Sequence, residues 1–151
     1  MSELKKIRDA LKAIVIATSS RETMKEVAEY LVEEIPRRTR AGLGVSGKGK
    51  PAKNFKKLAP ITVENRKEDP ALSSKTTPST SNLTHTGKMV DSINYKATTG
   101  KAIVKLQKPQ ATKAKKNIEL GRRFMEVSDK DLDKITDIIG KNIEAEINKL
   151  K

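Results

Sequence analysis

Apolar residues recur at helical spacing at both ends of the chain and thin out between them. Leu4, Ile7, Leu11, Ile14 and Val15 form one run, and Met24, Val27, Ala28, Leu31, Val32 and Ile35 form a second. A recurrence of three and four residues is the mark of an amphipathic helix. Thr18, Ser19 and Ser20 separate the runs, and Ser19 with Glu22 has the spacing of a capping box. The pattern predicts two helices, or one helix jointed near Ser19. It ends where Pro36 pushes Ile35 out of helical geometry, with Glu33 and Glu34 set unfavourably in the last turn against the helix dipole. Near the other terminus, Ser128 with Asp131 opens a third helix in the same way. Leu132, Ile135, Ile138, Ile139, Ile143, Ile147 and Leu150 mark its apolar face. Gly140 lies inside it, at a cost of about 1 kcal/mol relative to alanine, and marks either a close helix crossing or a weak spot.

Strand periodicity is found once. Tyr95 and Ala97 alternate with polar residues, as do Ala102, Val104 and Leu106, and Thr98-Thr99-Gly100 between them supplies a turn. Residues 95–107 therefore read as a β-hairpin closed by Pro109. A basic linker follows at Lys113–Lys116, then a short apolar run through Ile118, Leu120, Phe124, Met125 and Val127.

Residues 37–82 have a different texture. Gly42, Gly44, Gly47 and Gly49 alternate with small and basic residues, and Pro51, Pro60, Pro70 and Pro78 come after them. Only Leu58, Ile61 and Val63, with Phe55 nearby, offer anchors to a core. The stretch reads as an extended basic arm that is either functional or disordered, with residues 73–81 as an exposed Ser/Thr/Pro-rich tether. A single domain over 1–151 follows: a helical region (1–36), the arm (37–82), and a short turn, hairpin and C-terminal helix (83–151).

Charge sharpens this picture. The chain of 151 residues carries 32 Lys+Arg against 19 Asp+Glu, a formal net charge of +13. Eleven of the cations and only three of the acids fall within residues 37–82, so the arm should be drawn to polyanions or acidic protein surfaces. Only 35% of residues are hydrophobic and 3% aromatic, which implies a small core and segments that order on a partner. Without cysteine, disulfides, thiolate zinc sites and cysteine nucleophiles are excluded. No stretch approaches the roughly 20 apolar residues of a membrane span. The start Met1–Lys6 lacks the apolar core of a signal peptide, so a cytosol-like compartment is expected, with no membrane partner.

Candidate chemistry is sparse. His85, the only histidine, sits in a threonine-rich loop and reads as solvated rather than as a general base. The carboxylates are spread among lysines as on solvated helix faces, with no metal-ligating cluster. Gly42 to Lys48 matches the first seven positions of a P-loop, but Gly49 replaces the required Ser/Thr and no strand or helix pattern flanks it. Neither an enzyme nor a cofactor is expected. Arg37, Arg38, Arg40, Lys48, Lys50, Lys53, Lys56 and Lys57 form a footprint suited to phosphate neutralisation. With Phe55 as the only aromatic there, base stacking is poorly supplied. Any such binding would be indifferent to sequence, as in a nucleoid- or ribosome-associated protein.

Residues 83–93 carry the most specific pattern: Leu83-Thr84-x-Thr86-Gly87-x-Met89-x-x-Ser92-Ile93. It resembles the corresponding stretch of tailed-bacteriophage tail-completion and head–tail joining (virion morphogenesis) proteins. Further elements follow the order of that group: the helical region ending at Pro36, Arg37 to Val45, Lys57-Leu58-x-Pro60-Ile61, Arg66-Lys67, and Ile118 to Ser128 before the last helix. Phe124 and Ser128 match the element preceding that helix, although the group's usual proline is absent at Arg122-Arg123.

The resemblance implies an α+β fold, a small antiparallel sheet with amphipathic helices at both ends. It implies a structural virion protein of the phage neck, a connector or tail terminator assembled in the host cytoplasm as a six- or twelve-fold ring. Its partners would be copies of itself, adjacent neck, portal-adaptor or tail-tube proteins, and DNA in the channel. In the motif, Thr86 is expected to cap the short turn, Met89 and Ile93 to face inward, and Ser92 to bond locally.

Overall fold

A computed structural model describes residues 3–46, 50–80 and 82–150. The fold is α+β, in the order α1 (Glu3–Ser19), α2 (Arg21–Arg40), β1 (Leu43–Ser46), β2 (Lys50–Asn54), α3 (Pro60–Lys67), α4 (Lys88–Asp91), β3 (Ile93–Thr98), β4 (Lys101–Leu106), α5 (Gln110–Glu119) and α6 (Asp129–Asn148). The strands make two separate antiparallel hairpins, β1–β2 and β3–β4.

The joint between α1 and α2 is where the sequence places it, but the cap is one residue later. Ser20, in extended conformation, accepts from the Thr23 amide at 3.0 Å, and the Thr23 hydroxyl donates back to the Ala17 carbonyl at 2.6 Å. Capping by Ser19 with Glu22 is thereby corrected. The turn of the β3–β4 hairpin closes the same corner, its Gly100 amide donating to the Ser19 carbonyl at 2.7 Å.

Pro36 does not end α2. The helix runs on to Arg40 because its last turn is held from outside. Arg38 and Thr39 are both buried, and the Thr39 hydroxyl donates to the Ile35 carbonyl at 2.7 Å. Tertiary contacts here outweigh the local cost of an internal proline. Glu34 consequently lies inside the helix and takes two hydrogen bonds from Arg37, at 2.7 and 2.6 Å.

The core lies where α2 crosses β3–β4 and meets α6. Val27, Leu31 and Ile35 of α2 pack with Met89, Val90, Ile93, Ala114 and Phe124. In β3–β4, Ile93 pairs with Leu106 and Thr98 with Lys101, close to the predicted hairpin and beginning two residues earlier.

Three further corrections concern the middle of the chain. The supposed arm is folded over much of its length, as the end of α2, the β1–β2 hairpin and α3. The hairpin forms because β1 is clamped on its outer edge, where the Val45 amide donates to the Arg123 carbonyl at 2.8 Å. Gly44 permits that approach: a Cβ there would stand 2.5 Å from the Phe55 ring and 3.2 Å from the Arg123 carbonyl. Ile61, expected among the residues that could anchor the arm to a core, is 67% exposed. The basic linker at 113–116 is part of α5, whose Ala114 is buried in the core. Gly140 has open space beside it, so it marks a weak spot in α6 and not a helix crossing.

Candidate functional site

Of the eight basic residues expected to meet a partner, one is buried inside the fold and two more are ion-paired, Arg37 while still 65% exposed. Arg38 is only 2% exposed. It is ion-paired with Asp131 and donates to the carbonyls of Phe124, at 3.0 Å, and Glu126. This corrects its assignment as a contact residue: the guanidinium is buried against a carboxylate and two carbonyls, its Nε being left buried without a hydrogen-bond partner. Arg37 is engaged by Glu34, and Arg40 is ion-paired with Asp91. Lys56 and Lys57 are exposed at the foot of the β1–β2 hairpin. Lys48 lies outside the described residues, as do the side chains of Lys50 and Lys53.

Asp131 is the hub of a buried polar network that joins three parts of the chain. It closes a full capping box with Ser128 at the start of α6, pairs with Arg38 and accepts from the Tyr30 hydroxyl at 3.0 Å. Burial alone would push its carboxyl up. The hydrogen bonds from Ser128, the Arg38 charge and the Tyr30 hydroxyl outweigh that and hold it below the usual carboxylate range. Tyr30, by burial and by its carboxylate neighbour, is pushed the other way.

The 83–93 motif is an internal brace. Thr84 is buried; its hydroxyl donates to Asn82 Oδ1 at 2.9 Å, and its carbonyl accepts from the Thr76 hydroxyl at 2.7 Å. The Ser73 amide donates to the His85 carbonyl at 2.7 Å. Residues 73–80 are therefore stitched to the motif through Ser73 and the buried Thr76, so the stretch read as an exposed tether is tied down although most of it stays at the surface. Thr86 is exposed and does not cap α4; the N-cap is Gly87, whose left-handed φ of 75° begins the helix with no side-chain cap. The left-handed φ favours glycine there, and a Cβ would also stand 2.8 Å from Asp91 Oδ2 and push that side chain aside. Met89 and Ile93 face inward, Leu83 packs beside them, and the Ser92 hydroxyl donates to the Met89 carbonyl at 2.8 Å. Phe124 is fully buried in the core, and Ser128, also buried, caps α6 as its spacing with Asp131 predicts.

His85 is not simply solvated. Its Nε2 lies 2.7 Å from Asp69 Oδ2, with both side chains about a third exposed. The Ala71 amide and then His85 hold the Asp69 carboxyl below its usual range. The pair ties the turn at 69–71 to the motif. Among the described residues no group of His, Asp or Glu is placed to hold a metal ion.

The outward chemistry collects in two clefts joined at Arg122. The larger, about 620 Å³, lies between the β1–β2 hairpin and the α5–α6 connection. Lys56, Arg122 and Arg123 line it together with Phe55 and Leu120, and no acid is among its lining residues. The smaller, about 250 Å³, shares Arg122 and adds Arg66 and Lys113 beside His85 and Thr86. Arg122 is steadied by Asn117 at 3.0 Å, and Arg123 stands 3.4 Å from Glu126. Such a surface can hold an acidic loop or a phosphate chain. Arg66, Lys113, Arg122 and Arg123 were not anticipated as a group because α3, α5 and the α5–α6 connection bring them together.

One more surface stands out. α1 packs against α6 with Ala13 and Ala17 buried, and its larger apolar residues face solvent. Leu4, Ile7, Leu11 and Val15 are between 55% and 78% exposed, and they form one stripe at helical spacing. No family model, curated protein or solved structure matches the chain.

Proposed function

We propose that this protein is a structural component of a tailed-phage neck, a connector or tail terminator ring that joins the tail to the portal side of the head, and that it is not an enzyme. The observation that carries the reading is the α1 stripe. A helix that leaves four large apolar side chains in water while burying its alanines is built to be covered by a neighbour, and a ring supplies neighbours. The order of weak sequence elements around the 83–93 motif supports the same reading. So does the motif's role as a brace: it stiffens the body and leaves function to the surfaces. Copies of the chain, adjacent neck, portal-adaptor or tail-tube proteins, and DNA in the channel would be its partners in the virion.

A second reading, a sequence-indifferent nucleic-acid-binding protein, is favoured by the cationic clefts at Lys56, Arg122 and Arg123. Negative-stain imaging of the purified chain, with duplex-DNA binding measured across a salt series, separates the two. The neck reading expects closed rings and modest DNA affinity. Single copies that bind DNA tightly and lose affinity steeply with salt would support the second.

A further inference from the structure

We propose that α1 of one copy seats on the groove at the start of α6 in the next copy, so that subunits join head to tail. The groove, about 480 Å³, lies between the end of α2, the start of β1 and the start of α6. Leu43 supplies apolar lining, and Asp129, Lys130 and Asp133 line it from α6. Arg37 and Arg38, which also line it, are already engaged by Glu34 and Asp131. Asp137 continues the acidic row one turn further along α6, and Leu132 beside it is half exposed.

Charge selects the occupant. α1 carries four cations against two acids, and at the start of α6 the exposed charges are Asp129, Asp133 and Asp137 against Lys130 and Lys134. Pairing α1 with a second α1 would bring together two helices of net positive charge, whereas α1 on α6 matches opposite signs around an apolar centre. Leu4, Ile7 and Leu11 follow the three-then-four spacing that lets a helix lay one edge into a groove.

Each copy carries one donor face and one acceptor face. That is a heterologous contact, which closes into a ring when the rotation between subunits allows it. The inference rests on the ring reading for that closure and on α1 and α6 for its chemistry.

Sedimentation velocity on the full chain tests it with two variants, I7E/L11E on α1 and D133K/D137K on α6. All four positions are exposed or, for Ile7 and Leu11, more than half exposed, and thermal melting of each variant checks that it folds. The wild type is expected to assemble and each variant alone to stay monomeric. Mixed in equal amounts, the two variants are expected to form a one-to-one dimer and nothing larger, since only one good donor meets one good acceptor. A D133K/D137K variant that assembles like wild type, or a mixture that stays monomeric, would overturn the proposal. If rings survive I7E/L11E, this interface falls and the neck reading stands. If the folded wild type stays monomeric at high concentration, the interface falls, and imaging of virions then judges the neck reading separately.

Discussion

Replacing Asp131 with alanine is expected to lower stability by about 3–5 kcal/mol, because removing one partner of a buried ion pair leaves the other charge without compensation. Arg38 would keep its contacts to the Phe124 and Glu126 carbonyls but lose its only counter-charge. The Tyr30 hydroxyl would lose its acceptor, and α6 would lose the capping box that fixes its start. In a domain whose total stability is of the order of 5–15 kcal/mol, urea unfolding should show a large fall in midpoint. Replacing Arg38 and Asp131 together by Met and Leu should cost much less than D131A, since no charge is then stranded. Equal losses in the single and double variants would contradict this reading of the network.

The same carboxylate gives the stability a sign in pH. Its native pKa is lowered relative to the unfolded value of about 3.9. The stabilisation is therefore complete above the unfolded value and is lost as pH falls through the lower native one. D131A should accordingly show a flatter acid limb than wild type when stability is followed downward from pH 5.

Phe124→Ala is expected to cost about 3–5 kcal/mol as well, through lost burial and the cavity left behind. Phe124 is fully buried and belongs to the cluster where α2, α4, β3 and α5 meet. Its neighbours in sequence do more than pack: the Arg123 carbonyl clamps β1, and the Phe124 carbonyl accepts from Arg38. A cavity here should loosen the β1–β2 hairpin along with the core. Hydrogen exchange at the Val45 amide should speed up more than global destabilisation explains; exchange that tracks the global loss alone would count against the coupling.

The legible parts of the chain were those that carry their own signal. The apolar spacing of α1, α2 and α6, the Ser128–Asp131 cap and the β3–β4 alternation each lie within one segment, and the inward placing of Met89 and Ile93 followed from the motif. What the sequence hid was decided across segments. Arg38 and Asp131 stand 93 residues apart, and nothing local marks Arg38 as different from Arg37 or Arg40. Pro36 reads as a stop until the buried Arg38 and Thr39 hold the turn beyond it. The β1–β2 hairpin reads as a flexible basic loop because its clamp, the Arg123 carbonyl, comes from a distant part of the sequence.

Helix α1 is the most instructive miss. Its leucine and isoleucine stripe reads as a core face, yet Ala13 and Ala17 do the packing against α6. Small residues three and four apart at positions 10, 13 and 17 were the available sign that a second face could approach a neighbouring helix closely. The basic surface was misjudged in the opposite direction. Cations expected in one arm are partly consumed by Glu34, Asp91 and Asp131, and the clefts around Arg122 draw theirs from α3, α5 and the connection before α6.

Electron microscopy of a lysate tests the central claim most directly, with the coding sequence disrupted in the genome that carries it. The account predicts DNA-filled heads and complete tails that remain separate, rejoined when the wild-type chain is supplied and not when I7E/L11E is supplied. Normal joined virions in the disrupted lysate, or no virions in the undisrupted one, would contradict it.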